Sequence, residues 1–161
     1  MTKIERQILS ILKDDARVTP AQIAVMLGIS EEETKATIIA LEEEKIIVKY
    51  AAVVNSNDDE SFCEALIEVK ATPQKNRGFD SIAEEIMKFP EVKSVYLMSG
   101  GFDLTVYLYG RSIREVGLFI SEKLSVMDGV LATGTHFILK KYKVDGVDIV
   151  GLKEEKREMN F

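Results

Sequence analysis

Residues 19–33 read TPAQIAVMLGISEEE, and this stretch contains the start of one helix, its end and the start of the next. Thr19 and Ser30 are each followed three residues later by Gln or Glu. This is the spacing of a capping box, in which two side chains satisfy free N–H groups at a helix start. Gly28 lies between them, where a helix commonly ends on a left-handed residue. A helix, a short glycine turn and a second capped helix predict a helix-turn-helix motif.

The residues on either side extend this motif to a three-helix unit. Thr2 is followed by Glu5 at the same capping spacing, and Pro20 occupies the first position of the middle helix, where its missing N–H costs nothing. Each helix has one apolar stripe, formed by Ile4, Ile8, Ile11 and Leu12, by Ile23, Ala24 and Leu27, and by Thr34, Ile38 and Leu41. Residues 46–54 are β-branched and aromatic and predict a strand, so that residues 1–54 form a winged helix-turn-helix.

The chain beyond residue 54 changes its hydrophobic period. Residues 55–60 are polar, charged and turn-rich, and predict a domain boundary. The predicted elements that follow are strands over residues 62–71, 92–98, 104–109 and 130–142, and helices over residues 79–87 and 113–124. The order βαββαβ, with helices on one face of a four-stranded antiparallel sheet, predicts a ferredoxin-like domain over residues 61–143 and an α+β protein. Residues 144–161 are a charged tail without a predicted place in the fold.

Composition excludes several classes of protein. Apolar residues make up 46% of the 161 residues, which is enough for a core, and no apolar run approaches the roughly 20 residues of a membrane span. One cysteine, Cys63, and one histidine, His136, exclude a disulfide framework and a histidine-rich metal cluster within the chain. The charged residues among the first six are unlike a signal peptide. We therefore expect a cytoplasmic protein without metal or cofactor.

The overall charge does not favour nucleic-acid binding. The chain has 21 Lys and Arg against 27 Asp and Glu, a net charge of −6, whereas domains that bind nucleic acid are commonly basic. Residues 1–54 alone have seven bases and nine acids, a net charge of −2. A helix-turn-helix with this balance has few cations for the phosphate backbone.

Six short motifs are spaced along the chain in a specific order. They are Ile8-Leu9, Asp14-Asp15-Ala16-Arg17, Leu27-Gly28-Ile29-Ser30, Leu41-Glu42-Glu43-Glu44-Lys45-Ile46-Ile47, Gly100-Gly101-Phe102-Asp103 and Gly129-Val130-Leu131-Ala132-Thr133-Gly134-Thr135. With these motifs the chain resembles the Lrp/AsnC family, the feast/famine transcription regulators, from about Ile4 to Val147. The resemblance implies binding of double-stranded DNA, and a sheet domain of the RAM type through which dimers form and assemble further, often to octamers. It also implies a small-molecule effector, usually an amino acid, bound between dimers at that domain.

The third helix departs from the usual family pattern. Members commonly carry arginine or lysine on its exposed face, where this chain has Ala36, Thr37 and Ala40. Lys45 stands in place of the usual glycine after the acidic triplet, and residues 31–33 are three glutamates. Acids at a helix start are favourable for the helix dipole and unfavourable for the approach of phosphates.

The resemblance assigns the reading of DNA to this third helix. Lysine reaches guanine, and threonine contacts a thymine methyl or a phosphate, so Thr34, Lys35 and Thr37 are predicted contacts. The other predicted DNA-binding residues are Arg17, Gln22, Ser30 and Lys49. The alternative interpretation is that Thr34 faces the core and Lys35 is a solvated charge.

The predicted effector site is the connection between two strands at residues 99–103. Its glycine N–H groups suit a carboxylate, while Asp103 suits an ammonium group or orients the loop, and an amino acid carries both charged groups. Thr133 and Thr135 lie on one face of the last strand, where their hydroxyls can bind a polar ligand. The full predicted site is Met98, Gly100, Gly101, Phe102, Asp103, Thr133 and Thr135. The alternative is a plain hairpin turn and two strand-filling threonines.

Three other conspicuous features are expected to be structural. Cys63 has no basic neighbour in its strand and is interpreted as a buried, inert thiol. His136, on the face opposite the two threonines, is a lone histidine. Lys140, Lys141 and Lys143 are interpreted as a solvated strand end rather than a phosphate-binding patch.

These observations predict a DNA-binding transcription regulator that responds to a small-molecule effector and is not an enzyme. One alternative is an oligomeric amino-acid-binding protein of the same fold with weak or lost DNA binding, which the acidic third helix favours. A further alternative is an enzyme that resembles the siroheme decarboxylases, since these share the scaffold. The single histidine of the chain argues against that chemistry.

Overall fold

The computed structural model of the chain describes residues 1–55 and 62–150. The first of two structural units, Met1–Val54, contains the helices α1 (Lys3–Asp14), α2 (Pro20–Leu27) and α3 (Glu31–Glu43). The second unit begins at Asn55 and contains β1 (Cys63–Ala71), α4 (Asp80–Ile86), β2 (Val92–Leu97), β3 (Leu104–Gly110), α5 (Ile113–Phe119), a π-helical turn (Ile120–Leu124), β4 (Val130–Phe137), β5 (Lys143–Val144) and β6 (Val147–Asp148). Within the described ranges, the structure has no helix with the length and apolar character to cross a membrane.

The three helices of the first unit begin at their predicted capping residues. Thr2 and Thr19 each form a complete capping box with the residue three positions on. At Ser30 only half of the predicted box forms: the hydroxyl accepts from the Glu33 N–H at 3.0 Å, and the described contacts include no return bond from the Glu33 side chain. Gly28 ends α2 in the left-handed conformation, with φ of 68°. Local sequence therefore sets the start of each helix and the turn between α2 and α3.

The core of the first unit is formed by one residue from each helix. Ile8, Ile23 and Leu41 are almost completely buried, and the apolar residues predicted for the three stripes pack around them. Thr34 is also fully buried, and its hydroxyl donates to the Ser30 carbonyl at 2.9 Å. The stripe prediction is therefore confirmed for α3, including its one polar member.

The end of α3 has the hydrogen bonds of a Schellman motif. The Lys45 N–H donates to the Glu42 carbonyl at 3.1 Å, and the Ile46 N–H donates to the Leu41 carbonyl at 3.0 Å. This geometry places Lys45 in the left-handed region, with φ of 59°. Glycine is the residue that adopts this conformation most readily, so the lysine is strained there.

Residues 46–54 do not form the predicted strand, so that the predicted wing is missing from the described structure. A strand needs a neighbour for its N–H and C=O groups, and no described residue pairs with this segment. Val48 and Val54 are 80% and 69% exposed as a result. Tyr50 is an exception to this isolation, because its hydroxyl donates to Glu42 at 2.8 Å. Burial, and then this bond, raise the pKa of Tyr50 to about 12.

The second unit confirms the predicted βαββαβ arrangement and the α+β class. The strand order is β2-β3-β1-β4, and all three pairs are antiparallel. The sheet has two different faces. Ile67 lies on the buried face opposite Val106, whereas its neighbour Leu66 lies on the other face, between Tyr107 and His136. We call the face that contains Leu66 the open face.

The helices α4 and α5 cover the buried face. Ile82 and Ile86 of α4 and Val116 and Phe119 of α5 pack with the inward residues of β1 and β3. Ile113, the first residue of α5, points away from this core and is 64% exposed. The open face has no helix over it among the described residues, and Leu66 is 39% exposed there. Lys141, expected to be solvated, instead lies against this face, where its ammonium group bonds to Glu64 and lies over the Tyr109 ring.

The C-terminal segment differs from its prediction in two ways. The last long strand ends at Phe137 rather than at residue 142, and residues 143–148 form the hairpin of β5 and β6. Ile149, predicted to be part of a loose tail, is 2% exposed. Its carbonyl accepts from the Asn55 side-chain amide at 3.3 Å. The remainder of the predicted boundary, residues 56–60, and of the predicted tail, residues 151–161, lie outside the described residues.

Candidate functional site

Helix α3 does not offer all of its predicted DNA contacts to solvent. Thr34 is fully buried and its hydroxyl is bonded within the helix, so the prediction that it contacts DNA is wrong. The physical reason is the spacing of the apolar stripe, which places Thr34 on the same face as Ile38 and Leu41. The Ser30 hydroxyl lies at the helix start and accepts the Glu33 N–H.

The lysine of α3 is paired within its own helix. Lys35 Nζ lies 2.6 Å from Glu31 Oε1, one helical turn earlier, and both side chains are about half exposed. The hydrogen bond and the charge of Glu31 raise the pKa of Lys35, so the ammonium stays protonated. A phosphate that approaches Lys35 therefore competes with a carboxylate already in place.

The remaining predicted DNA contacts differ in their availability. The Gln22 side chain accepts the Thr19 N–H at 2.9 Å and is part of the α2 capping box. Arg17 and Lys49 are exposed and form no ion pair with the described residues. They are the predicted contacts whose positive charge is least compensated.

The exposed side of α3 lines a shallow groove together with α1. Ala36, Thr37 and Ala40 lie along this groove, which has a volume of about 300 Å³ and is completed by Glu5, Glu33, Leu41 and Glu44. The Thr37 hydroxyl donates to the Glu33 carbonyl at 2.8 Å. This surface thus consists of small apolar groups bordered by carboxylates, where other family members are expected to be basic.

In the second unit, Asp103 links the predicted effector loop to the end of β1. Its carboxylate accepts the Ala71 N–H at 2.9 Å, and Lys70 Nζ lies 3.4 Å from the same carboxylate. The Asp103 N–H donates to the Val69 carbonyl at 3.0 Å, and the Met98 N–H donates to the Asp103 carbonyl at 2.8 Å. Of the two predicted roles for Asp103, this geometry supports orientation of the loop.

The loop between Met98 and Asp103 is open around its glycines. A Cβ atom added at Gly100 or Gly101 would meet no other atom within 4 Å. Among the described residues, no acceptor takes the N–H groups of Gly100, Gly101 or Phe102. Consecutive N–H groups that have no internal partner are able to bind a carboxylate or a phosphate.

The two predicted threonines of β4 pair with different residues of β1. Thr133 pairs with Val69 and Thr135 with Ile67, so both point to the buried face, and His136 lies on the open face beside Glu68 at 3.4 Å. Val69 pairs with Leu104 on its other side, which places Thr133 about 10 Å from the end of the loop, two strand spacings away. The Thr133 hydroxyl lies 3.2 Å from the Ser125 hydroxyl.

Sequence reasoning missed the partners of the site residues. Lys70 and Ala71 precede Asp103 by more than thirty residues, and only their distance after folding reveals the contact. No local motif marks Ser125 as a partner of Thr133 either. Cys63, expected to be buried, is only partly buried, and this burial, followed by the charge of Glu64, raises the pKa of its thiol. No group of three His, Cys, Asp or Glu able to hold a metal occurs among the described residues.

Comparison with protein families assigns both parts of the chain. Residues 1–42 match the AsnC-type helix-turn-helix domain, and residues 64–148 match the Lrp/AsnC ligand-binding domain. Together these matches cover most of the chain.

Individual relatives agree with this assignment. The chain is 47% identical over 148 residues to the uncharacterized HTH-type transcriptional regulator YugG of Bacillus subtilis, covering 91% of this chain and 89% of that protein. It is 32% identical over 139 residues to the HTH-type transcriptional regulator LrpA of Pyrococcus horikoshii, covering 86% of this chain and 96% of that protein.

Solved structures show the same fold. The transcriptional regulator NMB0573 of Neisseria meningitidis, in complex with L-Met, has a TM-score of 0.73 at 22% identity and covers 94% of this chain and 99% of its own. AsnC of E. coli has a TM-score of 0.70 at 20% identity and covers 89% of this chain and 95% of its own. These relatives and structural neighbours are transcription regulators and not enzymes. The chain belongs to the Lrp/AsnC family of transcription regulators.

Proposed function

We propose that this regulator acts in the cytoplasm as a homo-oligomer whose binding to double-stranded DNA is controlled by an amino acid. The three-helix unit supplies the DNA contacts, and the loop at residues 98–103 supplies the effector site. Binding of the effector changes the arrangement of the dimers, and the coupling between the two sites is a free energy of about 1–3 kcal/mol.

The observation that carries the effector proposal is the open loop with its unbonded N–H groups. The N–H groups of Gly100, Gly101 and Phe102 suit the carboxylate of an amino acid, while Asp103 holds the loop against β1. The complex of the structural neighbour NMB0573 with L-Met supports the choice of an amino acid.

A thermal-shift screen tests this effector proposal. Each L-amino acid is added to the full chain, with its D-enantiomer as the matched control. A ligand at 100 times its Kd stabilises the folded state by about 2.7 kcal/mol, so a binder should raise the unfolding temperature clearly. A complete screen in which no L-amino acid acts more strongly than its enantiomer would contradict the proposal.

The DNA proposal depends on several weak contacts acting together. Residues 1–54 have a net charge of −2, and phosphate neutralisation supplies most of the non-specific affinity for DNA. One copy of the unit should therefore bind weakly, whereas tethered copies raise the effective concentration of one another. Fluorescence anisotropy should find no binding by isolated residues 1–54 at physiological salt, and binding by the full chain that falls steeply with salt. Tight binding by the isolated unit would contradict the charge argument.

A second candidate function is amino-acid binding without DNA binding. The observation that favours it is the charge of α3, whose lysine is paired with Glu31 and whose two ends are both acidic. Failure of the full chain to bind any fragment of genomic DNA, even at low salt, would select this second function over the first.

A further inference from the structure

The exposed side of α3 has few hydrogen-bond donors free for a base. Lys35 is paired with Glu31 at 2.6 Å, and Thr34 is buried. The Thr37 hydroxyl donates to the Glu33 carbonyl at 2.8 Å, so its proton is not available to a base. The methyl group of Thr37 remains available for contact. Ala36 and Ala40 are exposed and carry only methyl groups.

These three residues form one continuous surface. Ala40 lies four positions after Ala36 and three after Thr37, so that each faces Ala40, and all three residues line the same groove. The carboxylates around the groove, Glu5, Glu33 and Glu44, are unfavourable next to phosphates. Any favourable contact of this surface with DNA must therefore be made with the bases rather than with the backbone.

One base offers a matching apolar group in the major groove. Thymine carries a C5 methyl, and alanine or the methyl of threonine contacts it in known recognition modes. The remaining base edges present hydrogen-bond donors and acceptors, which the methyl groups of α3 cannot satisfy. A methyl-lined helix thus discriminates in favour of thymine.

We infer that α3 recognises its DNA through the C5 methyl groups of thymines, contacted by Ala36, Thr37 and Ala40. This inference rests on the proposed function, since it requires the three-helix unit to bind DNA. It assigns sequence selectivity to apolar contacts and leaves phosphate affinity to cations outside this surface, such as Arg17 and Lys49.

The test compares duplexes that differ only in the thymine methyl. A duplex is first selected from a random-sequence pool by the full chain, and it is then resynthesised with deoxyuridine in place of every thymidine. Loss of one buried methyl contact weakens binding roughly fourfold, so the deoxyuridine duplex should bind at least that much more weakly. Equal binding of the two duplexes would overturn the inference while leaving DNA binding itself intact.

Two substitutions at one position identify the residue that makes the contact. Thr37→Ser removes the methyl and retains the hydroxyl bond to Glu33, whereas Thr37→Val removes the hydroxyl and retains a methyl. The affinity for the thymidine duplex divided by the affinity for the deoxyuridine duplex should therefore fall roughly fourfold in Thr37→Ser. Thr37→Val should preserve this affinity ratio. Circular dichroism confirms that each variant is folded.

The remaining outcomes are equally decisive. If Thr37→Ser leaves the affinity ratio of the two duplexes unchanged, then Thr37 does not make the proposed methyl contact. If the full chain selects no sequence from the random pool, the proposed DNA-binding function would be overturned, and this inference with it.

Discussion

At the level of single residues, Lys45 is held in a conformation that suits glycine. Its φ of 59° completes the Schellman motif at the end of α3. Lys45→Gly should therefore stabilise the first unit by roughly 1 kcal/mol, by removing the steric conflict of a Cβ in the left-handed region. Urea unfolding of residues 1–54 measures the change. Lys45→Ala is the control, because it removes the same charge and keeps the steric conflict of the Cβ. An equal gain in the free energy of unfolding in both variants would show that the effect comes from the charge.

A second residue, Asp103, accepts a hydrogen bond from a buried N–H. Asp103→Ala leaves the Ala71 N–H, in a residue 5% exposed, without its acceptor and should destabilise the second unit by about 1–3 kcal/mol. Asp103→Asn keeps an acceptor oxygen and loses only the half-exposed contact with Lys70, for which about 0–1 kcal/mol is expected.

Thermal unfolding with and without the amino acid found in the screen separates these effects. We expect Asp103→Asn to retain the shift caused by the ligand and Asp103→Ala to lose it. If Asp103→Asn loses the shift while its unfolding temperature is unchanged, then Asp103 contacts the effector directly rather than orienting the loop.

At the level of the element, we expect the charge of α3 to limit its approach to DNA. Glu31 holds Lys35 at 2.6 Å, so Glu31→Gln should release the ammonium group for a phosphate. The full chain should then bind DNA more tightly, and the slope of log K against log salt should steepen by about 0.9 for one additional phosphate contact. Glu43→Gln is the matched control, because it changes the net charge equally and lies at the other end of α3. Identical salt slopes in the two variants would show that only net charge matters.

At the level of the whole molecule, we expect the open face of the sheet to pack against a second copy of the chain. Leu66 and Tyr96 are 39% and 55% exposed, while α4 and α5 cover only the opposite face. We expect light scattering at micromolar concentration to show at least a dimer, and assembly up to an octamer is compatible with closed symmetry.

Two variants locate the contact. Leu66→Asp, on the open face, should shift the chain towards smaller species, because it places a charge in the proposed interface. Met87→Asp, on the helix side, where Met87 is 59% exposed, should leave the assembly unchanged. A monomeric wild-type chain at micromolar concentration would refute pairing through the sheet.

Local sequence determined those features that depend on neighbours along the chain. Thr2 and Thr19 specify helix starts because their capping partners lie three residues away, and Gly28 specifies the turn because it adopts a left-handed conformation without strain. The alternation of apolar residues likewise predicted the four strands of the sheet, since a half-buried strand has a period of two.

Tertiary structure decided the features that depend on residues far apart in the sequence. Residues 46–54 have the composition of a strand but remain unpaired among the described residues, because a strand requires a hydrogen-bonding neighbour that composition cannot supply. Asp103 became a loop anchor through the N–H of Ala71, a contact between positions 32 residues apart. The burial of Ile149 could likewise not be predicted from periodicity. Capping and alternation are local and can be read directly, whereas pairing and burial depend on the folded chain.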